Sequence, residues 1–198
     1  MNDKRDIEIK SFYGREIEPL IADLAQLRIN VFYDFPYLYQ GDFEYEKNYL
    51  KVYTDSPESV LVAAFCNDKI IGAATALPLK DETDYIKEPF LKAHMDLSKI
   101  YYFGESVLLK DFRGYGIGHA FFDGREAAAK KFNYQITAFC GVKRPDNHPL
   151  KPADYRPLDE FWKKRGYEKQ SNLTSYFSWK DIGETEESKK EMIYWIKK

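Results

Sequence analysis

Residues 101–118 read YYFGESVLLKDFRGYGIG, an apolar segment that leads into a glycine-rich turn. Residues 101–109 are apolar at both odd and even positions, which is typical of a central strand covered on both faces. A helical pattern follows the turn and ends near Phe132. Glycine lacks a Cβ atom, so its backbone can approach phosphate oxygens, and the first N–H groups of a helix point at them. The order of strand, turn and helix therefore predicts a site for the pyrophosphate of a nucleotide-type cofactor.

The spacing of the glycines argues against two common phosphate-binding motifs. The dinucleotide fingerprint has glycines at relative positions one, three and six, whereas Gly114, Gly116 and Gly118 fall at one, three and five. A P-loop has Lys and then Ser or Thr directly after its last glycine, but His119 and Ala120 stand there. A Rossmann fold thus fits poorly, and Walker chemistry is excluded.

The pattern Arg113-x-x-Gly116-x-Gly118 resembles the acyl-CoA loop of the GCN5-related N-acetyltransferases. A second stretch, FWKKRGY at residues 161–167, looks like the late helix and turn of that family. The resemblance covers most of residues 7–180. It implies an α/β (α+β) fold in which one domain, residues 1–198, has a mixed, mostly antiparallel sheet with helices on both faces.

The resemblance also implies an activity, which is transfer of acetyl from acetyl-CoA to a primary amine by direct attack in a ternary complex. The strand backbone before the loop would bind the pantetheine arm through Ser106, Val107 and Leu108. Arg113 would reinforce the amides that hold the pyrophosphate, unless it is a surface arginine in a turn. Those amides would belong to Gly114, Tyr115, Gly116, Ile117, Gly118 and His119.

Glu105 is the candidate general base, because a carboxylate inside a strand that is apolar on both faces is costly to bury unless it is paired or protonated. From that position it would reach the acceptor amine directly or through water. A structural ion pair with a nearby Lys or Arg is the alternative interpretation.

The general acid departs from the family pattern. The family often has a Tyr four residues before the late glycine, but Trp162 stands there and has no useful proton. Tyr155 is the candidate substitute, with loop packing as its alternative role, or the thiolate takes its proton from water. His148 is a candidate second base in the facing loop.

An aromatic and acidic segment is expected to form one wall of the acceptor site. Aromatic faces and carboxylates would suit a cationic amine from a small molecule or peptide. Core packing with a solvated acidic rim is the alternative. The residues are Phe32, Tyr33, Asp34, Phe35, Tyr37, Tyr39, Asp42, Glu44 and Glu46.

Composition and charge exclude several classes of protein. A net charge of −2, with acids and bases interspersed, argues against nucleic acid as a partner. No apolar run is long enough for a membrane span and residues 1–10 are charged, so we expect a soluble, cytoplasmic protein. Cys66 and Cys140 lie in predicted strands without metal-ligand spacing, so we expect no disulfide and no metal.

The tail over residues 184–197 begins with acids and ends with lysines, which predicts a C-terminal helix. The sequence does not decide whether this helix docks on its own sheet or on a second subunit in a homodimer. Two other functions stay open, a non-catalytic CoA-binding or regulatory module and an acyltransferase for a longer acyl-CoA.

Overall fold

A computed structural model describes residues 6–198, which form one mixed seven-stranded sheet with helices on both faces. The strands are β1 (Ile7–Tyr13), β2 (Val60–Cys66), β3 (Lys69–Pro78), β4 (Ile100–Leu108), β5 (Ile136–Val142), β6 (Glu168–Trp179) and β7 (Ser188–Lys197). The helices are α1 (Ile21–Phe32), α2 (Phe43–Tyr49), α3 (Lys51–Asp55), α4 (Asp84–Lys92), α5 (Ile117–Lys131) and α6 (Asp159–Lys164). Short 3-10 turns precede α1 and connect β4 to the glycine loop.

The sheet order is β1-β2-β3-β4-β5-β7-β6, and only β4 and β5 run parallel to each other. This arrangement confirms the predicted mixed, mostly antiparallel sheet. The sequence also predicts a hairpin of residues 60–66 and 70–77 joined by Asn67, Asp68 and Lys69. This hairpin is present as β2 and β3, with Asn67 and Asp68 in its turn at φ 49° and 61°. Two left-handed residues give the type I′ geometry that matches the twist of the flanking strands.

Two hydrophobic clusters lie on opposite faces of the sheet. Leu24 of α1 and Phe90 of α4 belong to one, and Phe121 of α5 belongs to the other. Strand β4 contributes Tyr102 to the first cluster and Phe103 to the second. Both faces of β4 are therefore covered, which is what its apolar residues at odd and even positions predicted.

The predicted helix over residues 184–197 is wrong, since most of this segment forms β7, which pairs antiparallel with both β5 and β6. Ile196 packs on the face that carries α1 and Trp195 on the face that carries α5. A strand covered on both faces has apolar residues at odd and even positions. Over the five residues 192–196 this pattern resembles the spacing of apolar residues on one face of a helix. Glu184 does not begin a helix; its carboxylate accepts hydrogen bonds from Asp181 N (2.9 Å) and Ser188 Oγ (2.8 Å) in the turn before β7.

Over residues 6–198, none of the helices combines the length and apolar character that crossing a membrane requires.

Candidate active site

The glycine loop joins β4 to α5 and has the backbone that only glycine adopts easily. Gly114 and Gly116 have φ values of 86° and 82°, and Gly116 is the N-cap residue of α5. Apart from the glycine itself and its two chain neighbours, no heavy atom of residues 6–198 lies within 4 Å of the position that a Cβ would take at Gly114 or Gly116. The loop thus presents open backbone at the positive end of a 15-residue helix, as an anionic ligand requires.

One of the predicted phosphate-binding amides is already used within the first turn of the helix. The N–H of His119 donates to the Gly116 carbonyl oxygen (2.9 Å), and the N–H of Ala120 donates to the same atom (3.2 Å). The side chain of His119 contacts Phe161 of α6, with 4.9 Å between the ring centroids. The amides nearer the loop, from Gly114 to Gly118, are therefore better placed than His119 for a ligand.

Strands β4 and β5 separate after three paired residues. Ile100, Tyr101 and Tyr102 pair with residues 136–138, and the two strands form no further pair. Beyond Tyr102, the edge of β4 that faces β5 has no strand partner within residues 6–198. Ser106, Val107 and Leu108 lie in this separated part, so their backbone forms one wall of the gap in the sheet.

A β-bulge brings Glu105 to the face of the sheet that carries α1. Ala74 of β3 pairs with Ser106 and Ala76 pairs with Phe103, so Thr75 lies opposite both Gly104 and Glu105. Because β4 has one residue more than β3 at this point, the usual alternation of side chains is interrupted. Gly104 and Glu105 therefore both face the side of the sheet that carries α1. Thr75 holds the bulge in place because its Oγ1 donates to Glu105 Oε1 (2.8 Å) and accepts from Glu105 N (3.2 Å).

Glu105 is 5% exposed and forms an ion pair with Arg28 of α1. Arg28 also binds Glu46 of α2, so one guanidinium lies between two buried carboxylates. Burial opposes the charge of Arg28, but Glu105 and Glu46 outweigh it and raise its pKa well above the ordinary value. The ion pair that the sequence offered as an alternative for Glu105 is therefore present, and its role as a base stays a prediction.

A third buried carboxylate, Glu82, faces the same cluster from the segment between β3 and α4. It is 2% exposed, and its Oε2 accepts a hydrogen bond from Thr83 N (3.0 Å). Burial, with a smaller contribution from Glu105, raises the pKa of Glu82 to about 7. The site thus holds three carboxylates beside Arg28, on the face of the sheet where the acceptor is expected.

Tyr155 lies in the loop between β5 and α6 and packs edge-on against Phe35, with 4.7 Å between the ring centroids. Burial and the nearby Asp159 raise the pKa of its phenol, so Tyr155 stays protonated at neutral pH. His148 also faces the ring of Phe35, and its Nδ1 accepts a hydrogen bond from Leu150 N (3.2 Å). The aromatic segment before α2 and the facing loop therefore meet at Phe35.

Trp162 packs away from this meeting point. Its ring contacts Phe139 of β5 and Trp195 of β7, with centroid distances of 5.0 and 5.2 Å. It also covers Gly141, where a Cβ would lie 3.1 Å from the indole ring. This position therefore serves core packing on the face that carries α5.

Arg144 anchors the aromatic segment. Its guanidinium donates to the carbonyl oxygens of Pro36 (2.7 Å) and Tyr37 (2.6 Å) and forms a bidentate pair with Asp181 (2.7 and 2.9 Å). These bonds fix the segment against the end of β6. The ring of Tyr37 contacts Phe32 and Trp179, with centroid distances of 4.4 and 6.0 Å. Burial raises the pKa of the Tyr37 phenol well above the ordinary value.

Several polar residues of the site were missed from the sequence, among them Arg28, Glu82, Arg125 and Arg144. Arg28 and Arg125 follow Leu24 and Phe121 at helical spacing, a signal that could have placed both on buried helix faces. Arg125 lies over the rings of Phe103 and Phe122, and burial lowers its pKa to about 10. Glu46 was predicted as part of the acidic wall of the acceptor site, but its burial against Arg28 was not, and no local pattern predicts the burial of Glu82.

Comparison with known proteins agrees with this architecture. An acetyltransferase of the GNAT family from Streptococcus pneumoniae is 14% identical, with a TM-score of 0.59 over 97% of this chain and 99% of that one. NAA60 from Arabidopsis thaliana, solved with a bisubstrate analogue, is 13% identical, with a TM-score of 0.59 and coverage of 96% and 98%. A ribosomal-protein-alanine N-acetyltransferase from Brucella melitensis is 12% identical, with a TM-score of 0.57 and coverage of 96% and 98%.

No protein-family model matches the sequence, and no curated protein is a significant match to it. The fold of this chain is that of the GCN5-related N-acetyltransferases, over nearly its whole length. The resemblance predicted from the glycine loop is thereby confirmed at the level of the fold.

Proposed function

We propose that this protein transfers an acetyl group from acetyl-CoA to a primary amine of a small molecule or peptide. The observation that carries the proposal is the open glycine loop at the start of α5, next to the gap between β4 and β5. A pyrophosphate and a linear pantetheine arm need these two features side by side. The shared fold supports the same chemistry.

The residues of the loop and strand fit acetyl-CoA. The amides between Gly114 and Gly118 would bind the pyrophosphate, with Arg113 as a further cation and His119 as the least available donor. Ser106, Val107 and Leu108 would bind the pantetheine arm through their backbone. An N–H of the same strand would polarise the thioester carbonyl, and a donor fixed before the reaction stabilises the oxyanion without reorganisation.

Acyl transfer also needs a proton for the departing sulfur. We keep Tyr155 in this role because its phenol is protonated and lies at the contact between the two acceptor walls.

The buried carboxylates and aromatic rings suit a cationic acceptor. Rings of Phe32 and Tyr49 lie 5.0 and 4.9 Å from the Arg28 guanidinium, so this face already stabilises positive charge. The Brucella enzyme is named for a protein alanine, so peptides belong among the acceptors to be tested together with small amines.

Thermal unfolding with acetyl-CoA, followed by an assay for released CoA thiol, tests the proposal. We expect a hundredfold excess over Kd to raise the melting temperature by about 5–10 °C. Gly116→Val should abolish this shift and the release of thiol, because the new side chain occupies the space where phosphate oxygens approach.

The matched control is Gly183→Val. Gly183 has φ 87° and an equally open Cβ position, so it carries the same backbone strain away from the loop. Both variants should lose similar stability without ligand, but Gly183→Val should keep the shift. An unchanged melting curve of the wild-type protein with acetyl-CoA would contradict the proposal.

A CoA-binding module without catalysis is the second candidate, and the indole at position 162 is the observation that favours it. A thermal shift without thiol release across amines and peptides would identify that function. Release only with a longer acyl-CoA would instead identify a different acyl donor.

A further inference from the structure

Glu82 has a buried oxygen that the protein does not use. Its Oε1 has no hydrogen-bond partner within residues 6–198, and neither does the neighbouring Thr83 Oγ1. Leaving a buried polar atom unpaired is costly, and more so for a carboxylate, so such an atom calls for an explanation. A ligand that donates a hydrogen bond at this point would remove the cost.

Three buried carboxylates lie on this face. Glu46 Oε1 also lacks a hydrogen-bond partner within residues 6–198, but Glu46 and Glu105 are both paired with Arg28, whereas Glu82 is not. Both oxygens of Glu105 are engaged, Oε1 by Thr75 and Oε2 by Arg28, with the Tyr53 hydroxyl 3.5 Å from Oε2. Glu82 receives one backbone N–H and no bond from a cation, because Arg28 binds Glu46 and Glu105. The nearby Lys87 pairs with Asp84 (2.9 Å).

Titratable and charged side chains from several helices and strands surround Glu82 on the face of the sheet that carries α1. A surface cleft of about 680 Å³ is lined by Tyr49 and by Thr83, the chain neighbour of Glu82, but Glu82 itself is not part of its wall. The titratable and charged groups that interact with Glu82 are Arg28, Tyr49, Tyr53, Tyr85, Lys87, Tyr102, Glu105, Cys140 and Tyr194.

We propose that Glu82, rather than Glu105, is the general base that removes the proton from the acceptor, and that the acceptor enters as a primary alkylammonium ion. This inference rests on the proposed function. The ammonium donates a hydrogen bond to Oε1, which satisfies the unpaired oxygen, and is held between carboxylates and aromatic rings. An acceptor with a carboxylate beside its amine would meet repulsion from Glu46 and Glu105.

The proton and charge balance of the step is simple. One N–H proton passes to Glu82 Oε1, and the freed lone pair forms the C–N bond at the thioester carbonyl. The C–S bond then breaks, the departing sulfur takes the proton of the Tyr155 phenol, and the second proton that the nitrogen loses returns to Tyr155. The products are the amide, free CoA thiol and neutral Glu82, which returns its proton to solvent.

Burial supports this assignment, because it places the pKa of Glu82 at about 7. A base with a pKa near the working pH is stronger than an ordinary carboxylate and is still about half ionised at that pH. Glu105, by contrast, would have to leave the guanidinium of Arg28 in order to accept a proton.

The test compares Glu82→Gln, Glu105→Gln and Glu88→Gln in the thiol-release assay, as a function of pH, with an amine that the wild-type protein accepts. Glu88 is an exposed residue of α4, the helix that follows Glu82 in the chain, and is the matched control. We expect Glu82→Gln to lower kcat by a factor of about 100 or more and to remove the rise of kcat/KM near pH 7. Glu105→Gln should retain that rise, and Glu88→Gln should match the wild-type protein.

A second variant, together with the thermal shift, distinguishes loss of the base from loss of the fold. Glu82→Asp keeps the acid but moves it, so it should retain a pH-dependent rise with reduced kcat, while the acetyl-CoA thermal shift stays unchanged in every variant. Full turnover in Glu82→Gln, or loss of the rise in Glu105→Gln alone, would overturn the inference and leave the proposed function intact. A wild-type protein that acetylates no amine would overturn both.

Discussion

Single residues at this site show how the fold tolerates charge in its interior. Arg28 gives Glu46 and Glu105 a shared counter-charge, and Thr75 bonds to a remaining oxygen of Glu105. Glu82 lacks a cation at bonding distance within the described residues, so it is the carboxylate whose ionisation opposes folding. A charge that is difficult to bury makes stability depend on pH.

We therefore expect Glu82→Gln to stabilise the protein at alkaline pH. A carboxyl with a higher pKa in the folded state favours folding below its unfolded pKa, and this contribution is lost as pH rises through the folded value. With a folded pKa of about 7, the wild-type protein should lose about 3 kcal/mol relative to Glu82→Gln between pH 4.5 and 8. Urea denaturation of both proteins across this range measures the difference.

Glu88→Gln is again the control, because a 60% exposed side chain should change the free energy of unfolding by less than about 0.5 kcal/mol at either pH. A constant difference between wild type and Glu82→Gln from acid to alkaline pH would show that Glu82 titrates as an ordinary carboxyl.

At the scale of elements, β4 combines a bulge with a close approach to α3. A Cβ on Gly104 would lie 1.9 Å from the Tyr53 hydroxyl oxygen and 2.7 Å from Thr75 Oγ1. This glycine is therefore required by the contact between strand and helix. The bulge that it permits is what orients Glu105 toward Arg28.

Gly104→Ala should accordingly destabilise the protein by about 1–3 kcal/mol, because α3 and β4 must move apart. Tyr53→Phe removes the nearest atom, so the double variant should recover part of that loss, which a double-mutant cycle in urea denaturation measures.

Gly118→Ala provides the control for this cycle, since its Cβ would meet only the Phe161 ring at 3.8 Å. Strictly additive effects of Gly104→Ala and Tyr53→Phe would mean that the hydroxyl is not what excludes a side chain at position 104.

The elements that the sequence predicted correctly have local signals. Two apolar runs joined by Asn67, Asp68 and Lys69 predicted β2 and β3. Helical spacing predicted α5, and Asn133, expected to end it, has a left-handed φ of 63°. The prediction for the segment that forms β7 was wrong because its pairing with β5 and β6 is non-local. Its pattern of apolar residues fits a buried helix as well as a buried strand. The glycine loop of the candidate site could also be predicted, because its pattern is local. The cluster of Arg28, Glu82 and Glu105 could not, because it forms only when three segments that are distant in the sequence come together.

The whole molecule consists of two parts of one sheet that share little backbone pairing. Strands β1 to β4 and strands β5 to β7 are joined by the three residue pairs between β4 and β5. Helix α4 bridges the two parts, because it follows β3 in the chain but packs through Phe90 on Tyr194 of β7, with 5.0 Å between ring centroids. A ligand in the gap would contact both parts and should reduce their relative opening.

We expect acetyl-CoA to slow amide hydrogen exchange in three places at once, which are the glycine loop, β4 beyond Tyr102, and β5 beyond Ala138. The 3′-phospho-ADP fragment, which lacks the pantetheine arm, should protect the loop alone, because only the arm enters the gap between the strands. Mass spectrometry of peptic fragments measures both patterns, and peptides from β1, at the far edge of the sheet, serve as the internal control. Equal protection by the fragment and by acetyl-CoA would mean that the gap does not hold the arm, and that stabilisation of the whole molecule comes from the phosphate loop.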